Sequence, residues 1–157
     1  MSDEQKAYVA GFLDGDGSIM AQLVYRKDYK LGYQIRTSIV FYQKTKHRKF
    51  LEWLKVQLKH GYVRNRNDDM SEYTIVGLVE IKEVLELLYP YLRLKKDVAE
   101  VVLSIIDKHP PSRKMTASKL IALSKLVDES SRFNYTKKRT NTSETVENFF
   151  KTYNLSP

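Results

Sequence analysis

Residues 7–17 read AYVAGFLDGDG, and their reading decides the fold. Seven uncharged, mostly apolar residues run into Asp14 and Asp16, each followed by a glycine. At the C-terminus of a helix the macrodipole is negative, so each carboxylate there costs roughly 0.3–1 kcal/mol. Gly15 and Gly17 free the backbone to turn sharply and to bring carbonyl oxygens close to a bound group. A divalent cation would reverse the sign of the electrostatics, because carboxylates and helix-end carbonyls would then face positive charge. Three of the chain's six glycines fall between residues 11 and 17, which points to a special backbone here. A calcium loop of the EF-hand type is excluded, because its fifth, sixth and twelfth positions would be Ser18, Ile19 and Tyr25. Two readings stay open from these residues alone. One is a plain turn between helix and hairpin. The other is a buried helix whose small residues Ala7, Ala10 and Gly11 let its own copy approach, so that both acidic ends meet at a twofold axis.

Working outward, residues 4–14 read as a helix, and 18–27 and 33–44 as strands joined by the turn DYKLG. HRKFLEWLKVQLK has Phe50, Leu54 and Leu58 at helical spacing, and GYVRNRN with SEYTIV forms a second hairpin around Asn67, Asp68 and Asp69. Ile81, Val84, Leu85 and Leu88 mark a helix stopped near Pro90, and Val98, Val101, Val102 and Ile105 mark another that ends before HPP. Leu120, Leu123 and Val127 give a further amphipathic segment. After the basic break NYTKKRTN, Asn141 with Glu144 resembles a capping box for a last helix carrying Val146, Phe149, Phe150 and Tyr153. The order is helix, hairpin, helix, hairpin, then helices. That is an α+β unit with helices on one face of an antiparallel sheet, and residues 1–157 are expected to form a single domain.

The net charge of +8 and sequence pI of about 9.5 favour a polyanionic partner. Lys and Arg are spread over strands as well as helices, unlike the single amphipathic helix of a lipid-surface binder. No apolar run approaches the ~18 residues that span a bilayer, so no membrane partner is expected. With no cysteine and no signal-peptide pattern, the expectation is an intracellular protein. On the first two strands Gln22, Val24, Arg26, Gln34, Arg36 and Ser38 share one face, which Arg64, Arg66, Glu72 and Thr74 continue on the second hairpin. A solvated face is the bland explanation. Arg, however, suits guanine edges and Gln adenine edges, and a two-stranded ribbon fits the major groove of DNA.

VAGFLDGDG, residues 9–17, resembles the LAGLIDADG motif of homing endonucleases. YQKTKHRKF, GYVRNRN, YLRLKK and TNTSETV are similar in order and spacing to the single-motif, homodimeric, intron-encoded members. The resemblance implies an αββαββα fold with a saddle-shaped sheet plus C-terminal helices, motif helices at a dimer interface, and Mg²⁺-dependent double-strand cleavage of a long, partly palindromic DNA site. By position it makes Asp16 the metal-ligating carboxylate, assisted by the Gly15 carbonyl, with Gln43 and Lys95 the polar residues near the scissile phosphates. It places Ala7, Ala10, Gly11 and Asp14 at the interface, Asp14 being as readily structural as catalytic. At position 47, where close relatives can carry Arg, this chain has His. One ribbon per subunit predicts a double-stranded DNA target of ~20 bp. Arg36, Arg64 and Arg66 are the expected base-contacting arginines, and Lys137, Lys138 and Arg139 the expected phosphate contacts. The same fold also serves as an RNA-binding intron maturase or a catalytically silent DNA binder. The presence of Asp16, Gln43 and Lys95 together favours the enzyme. Family members occur in chloroplast, mitochondrial and archaeal introns.

Overall fold

The computed structural model describes residues 1–134 and 138–155. Helix α1 (Asp3–Asp16) opens with a capping box, in which Gln5 N–H donates to Ser2 Oγ at 3.2 Å and Ser2 N–H to Gln5 Oε1 at 3.0 Å. Asp3 and Glu4 sit in its first turn, where the dipole favours acids. The helix continues through Asp16, two residues past the predicted end, so Asp14, Gly15 and Asp16 belong to its last turn and are not a connection after it. Strands β1 (Gly17–Tyr25) and β2 (Tyr33–Lys44) then form a hairpin in register from Gly17 opposite Phe41 to Tyr25 opposite Tyr33.

Helix α2 (Arg48–Leu58) leads to β3 (Tyr62–Asn65) and β4 (Met70–Val76), followed by α3 (Leu78–Leu88), α4 (Lys96–Lys108), α5 (Ala117–Ser131) and α6 (Ser143–Thr152). All strand pairs are antiparallel and the sheet order is β1-β2-β4-β3. Strand β2 is long enough to pair with β1 along its whole length and with β4 from Ser38 onward, so it ties the two hairpins into one sheet. This is the expected αββαββα order with helices added at the C-terminus.

Side-chain alternation puts Ile19, Ala21, Leu23, Ile35, Ile39, Phe41, Tyr73 and Ile75 on one face, all buried. Val9, Ala10 and Leu13 of α1, Leu51 and Leu54 of α2, and the inner faces of α3–α6 complete one contiguous core over that face. Phe12, Phe41 and Tyr73 form a column of near-parallel rings with centroids 6.0 and 5.7 Å apart. The Tyr73 hydroxyl donates to the His60 carbonyl at 2.7 Å, and burial pushes its pKa well above the usual tyrosine value.

Three sequence expectations change. Helix α1 is not buried on nearly all sides: Ala7, Tyr8 and Gly11 are exposed. Ala10, expected at a subunit interface, points into the chain's own core and is fully buried. The capping box of α6 is built by Thr142 with Thr145, not by Asn141 with Glu144, because the Asn141 side chain is engaged by the carbonyl of Leu23 at 3.0 Å.

Gly17 has an ordinary extended backbone at φ −108°, so what it needs is space, not freedom to turn. A Cβ there would lie 2.5 Å from Leu13 Cδ1 and 2.9 Å from the Leu13 carbonyl oxygen. Gly17→Ala is expected to cost about 1–3 kcal/mol by overpacking the α1–β1 junction. A urea titration would show this as a lowered midpoint at unchanged slope.

Candidate active site and nucleic-acid interface

Successive helical residues are rotated by about 100°, so Asp14 and Asp16 project from opposite sides of α1. Asp14 turns inward and is only 8% exposed. Its Oδ2 accepts the backbone N–H groups of Arg93 (2.7 Å) and Leu94 (3.2 Å), and its Oδ1 accepts that of Lys95 (2.9 Å). The carboxylate thus satisfies three donors of the turn that leads into α4, close to that helix's positive end. The Lys95 ammonium reaches back to donate to the Asp14 main-chain carbonyl. The cost of an acid at the end of α1 is offset by these three main-chain donors. Asp14 is therefore a structural clasp and is not available on the outer face of α1.

Asp16 turns outward and is exposed, with no hydrogen bond or ion pair among the described residues. Gly15 precedes it, also exposed, with open space where a Cβ would be. Lys95 is half-buried, and desolvation pulls its pKa below the usual lysine value while Asp14 and Asp16 oppose that shift. Lys95 is thus a cation within electrostatic reach of Asp16. Gln43 is half-buried and accepts the Lys44 N–H at 3.0 Å. It lines a cleft with Tyr8, Phe12, His47 and Phe50, and no hydrogen bond among the described residues joins it to Asp16 or Lys95. One chain gathers Asp14 and Lys95, sets Asp16 beside them, and leaves Gln43 and His47 in an adjoining cleft.

A carboxylate with an adjacent carbonyl is the hard-oxygen set that suits Mg²⁺ or Ca²⁺. Among the described residues no group of three or more His, Cys, Asp or Glu side chains could hold a metal.

The sheet face away from the core carries the expected residues. Gln22 and Arg36 stand opposite each other and exposed, with Val24 opposite Gln34 in the next row. Arg26 donates to Gln34 Oε1 at 3.0 Å and to Asp28 at 2.8 and 3.2 Å. Arg64 donates to Glu72 Oε1 at 2.6 Å, and Arg66 pairs with Asp68 at 2.8 Å and with Glu72 at 3.8 Å. Arg36 has no such partner among the described residues. Three residues expected to read a ligand are buried: Ser38, Thr74 and Glu72 are 3%, 5% and 8% exposed, and the Glu72 carboxylate is taken up by Arg64 and Arg66. Arg139, expected on a phosphate, instead donates to the Ala21 carbonyl at 2.7 Å. Lys138 is exposed, and Lys137 lies outside the described residues.

Sequence reading missed Leu94 and Tyr8. Leu94 is 80% exposed beside Lys95, and Tyr8 is 58% exposed on the outer side of α1. Their signal is an apolar residue in a basic turn and an aromatic one on a small-residue helix face. Neither can be told from core positions by periodicity.

The family model for LAGLIDADG endonucleases matches residues 9–100. The DNA endonuclease I-CvuI of Chlorella vulgaris is 41% identical over 145 residues, covering 92% of this chain and 89% of the relative. The DNA endonuclease I-CreI of Chlamydomonas reinhardtii is 39% identical over 139 residues, covering 88% and 84%. The crystal structure of I-CvuI in complex with its target in the presence of Ca superposes with a TM-score of 0.93 at 39% identity, covering 98% of this chain and 97% of that one. An archaeal intron-encoded homing endonuclease complexed with DNA shares the fold at a TM-score of 0.85 and 19% identity, covering 98% and 99%. The chain belongs to the LAGLIDADG homing endonuclease family.

Asp14→Ala leaves three main-chain donors without their charged acceptor and is expected to cost about 2–4 kcal/mol. Asp16→Asn removes an exposed charge from a helix end and is expected to leave stability unchanged or raise it by up to about 1 kcal/mol. Urea midpoints of the two variants check the division of labour between the aspartates.

Proposed function

We propose that two copies of this chain form a site-specific DNA endonuclease that makes double-strand breaks in a partly palindromic target of ~20 bp, one sheet face reading each half-site. The observation that carries the reading is the split between the aspartates: Asp14 is spent on the fold, which leaves Asp16 exposed at the end of a helix with no partner among the described residues. The outer face of α1 supports the dimer. Ala7, Gly11 and Gly15 recur every four residues with nothing near Gly11 or Gly15, and exposed Tyr8 and Leu94 flank them. A second α1 packed there brings two Asp16 carboxylates and two Gly15 carbonyls to one axis. The contiguous core supports treating residues 1–157 as one domain.

The cofactor is a divalent cation, and we propose Mg²⁺, held by Asp16 and the Gly15 carbonyl of both chains. Bound there, it would supply positive charge to the scissile phosphates and lower the pKa of an attacking water. The chain's own groups do the rest. The Asp14 clasp fixes the backbone of Lys95, so its ammonium stays beside the acidic axis as a cation for the phosphate's developing negative charge. Gln43 and His47, in their adjoining cleft, offer hydrogen bonds that orient solvent. On the sheet, Gln22, Gln34, Arg36, Arg64 and Arg66 face base edges, with Arg26 held by Gln34 and Glu72 holding both Arg64 and Arg66. No helix of the described residues is long and apolar enough to cross a membrane. We place the activity inside the cell, in a chloroplast or mitochondrion for an organellar gene and in the cytoplasm for an archaeal one. Relatives from two algae, and an archaeal protein of the same fold, support that range.

Cleavage selection tests this reading. Purified protein is incubated with a randomised duplex library with Mg²⁺, with Ca²⁺ or with EDTA, and the cut ends are sequenced. The expected result is paired cuts at one partly palindromic site with Mg²⁺, and retention of that site without cutting for Asp16→Asn. Retention without cutting by the wild type in every metal would identify a silent binder, with intron RNA the next ligand to test. Binding is also expected to weaken steeply with salt, at about 0.9 in the log–log slope per phosphate neutralised. Arg36→Ala or Arg64→Ala should change which bases are preferred, whereas Lys138→Ala should weaken all sequences alike, as competition binding would show.

A further inference from the structure

Strand β1 lies at the edge of the sheet, yet its outward carbonyls are not left to water. Asn134 Nδ2 donates to Ile19 O at 3.0 Å, Arg139 Nη1 to Ala21 O at 2.7 Å, and Asn141 Nδ2 to Leu23 O at 3.0 Å. The three acceptors are alternate residues of the strand, so the side chains of Asn134, Arg139 and Asn141 take the place that a fifth strand would occupy. The far end of the segment is fixed as well. Asp128 on α5 accepts the Ser143 backbone N–H at 3.2 Å and the Ser143 hydroxyl at 2.5 Å, at the first residue of α6. Asp128 is also the charge that opposes the desolvation of the half-buried Arg139.

Between this segment and β1 runs a crevice of about 420 Å³, bounded by Gln22 and Val24 on the strand and by Lys138 and Thr140 on the segment. Gln22 and Val24 are on the reading face, and Lys138 is exposed at the crevice's other wall. A duplex with its bases turned to Gln22 would have its sugar-phosphate chain to the side of the bases, where Lys138 stands. Cation and base-reading side chain are thus held in a register set by three side-chain bonds to one strand.

We propose that Arg139 is a positioning residue: by anchoring the segment to the Ala21 carbonyl it sets Lys138 against a backbone phosphate of the strand that β1 reads, and it makes no phosphate contact itself. This rests on the DNA-binding reading above. The rival account is a plain edge cover, in which Arg139 protects β1 and has no bearing on Lys138.

A double-mutant cycle in the full-length protein separates the two. Affinity for the selected duplex is measured over a range of salt for wild type, Lys138→Ala, Arg139→Ala and the double variant, with thermal melts as the fold control. Lys138→Ala is expected to lower the log–log salt slope by about 0.9 per chain, roughly 2 per dimer. Arg139→Ala is expected to reproduce most of that change, although its guanidinium meets a carbonyl. The double variant should bind within about twofold of Lys138→Ala, the scatter seen for effects that share one cause. If Arg139→Ala does not fold, Asn141→Ala replaces it in the same cycle with the same expected coupling. Losses that multiply independently, or a wild-type slope in Arg139→Ala, overturn the proposal while leaving the DNA reading intact. A wild-type protein that retains no duplex at any salt overturns the DNA reading, and the positioning role falls with it.

Discussion

The molecule depends on one carboxylate placed where a helix resists it. Asp14, at the negative end of α1, meets three main-chain donors from the turn ahead of α4, and this joins residues about eighty positions apart in the chain. The bond set has several consequences at once. It lets α1 run two residues further to Asp16, it fixes where α4 begins, and it brings Lys95 to the same point. Helical rotation then puts Asp16 on the opposite side, exposed and without an ion pair or hydrogen bond among the described residues. The chemistry of the site is a by-product of how the chain stabilises its first helix.

The sheet shows the same economy with charge. The chain carries a net +8, yet on the reading face Arg26, Arg64 and Arg66 are each held by an acid on a neighbouring turn or strand. The Arg26–Asp28 and Arg66–Asp68 pairs are exposed enough to contribute little to stability, whereas Glu72 is buried and is paired by Arg64. What they do is narrow the range of guanidinium positions before a ligand arrives, so less side-chain freedom is lost on binding. Arg36 lacks such a partner among the described residues and stays free to adapt. Fixed and adaptable arginines on one surface suit a protein that must hold a long site and still read individual bases.

Much of this was legible in the sequence. The period-two alternation of residues 18–27 and 33–44 gave both strands and their faces, because a half-buried antiparallel hairpin leaves no other pattern. The DGDG segment, with the later motifs in register, pointed to the family and the fold, and it is also the ground for proposing Asp16 as the metal ligand. What was not legible depended on distant contacts. Asp14 could not be told from Asp16 without knowing that residues 93–95 come to meet it. Ala10 looked like its neighbours Ala7 and Gly11, and only the packing of α1 on the sheet shows that it faces inward. Arg139 sat in a basic run that reads as a phosphate-binding arm, and its turn toward β1 follows from an edge strand whose carbonyls need donors. Ser38 and Thr74 were on the correct face, but both lie in the sheet's interior strands, β2 and β4, and are buried there, which alternation alone does not reveal.

The central claim is that two outer faces of α1 meet and bring two Asp16 side chains together. The chain has no cysteine, so a single Gly11→Cys substitution reports on that meeting without interference. A disulfide requires the two Cα atoms to lie within about 7 Å. Mild oxidation of Gly11→Cys is expected to give a covalent dimer in high yield, whereas Val56→Cys, exposed on α2, should stay monomeric on a denaturing gel. A Gly11→Cys protein that cuts DNA, sediments as a monomer and never cross-links would contradict the claim.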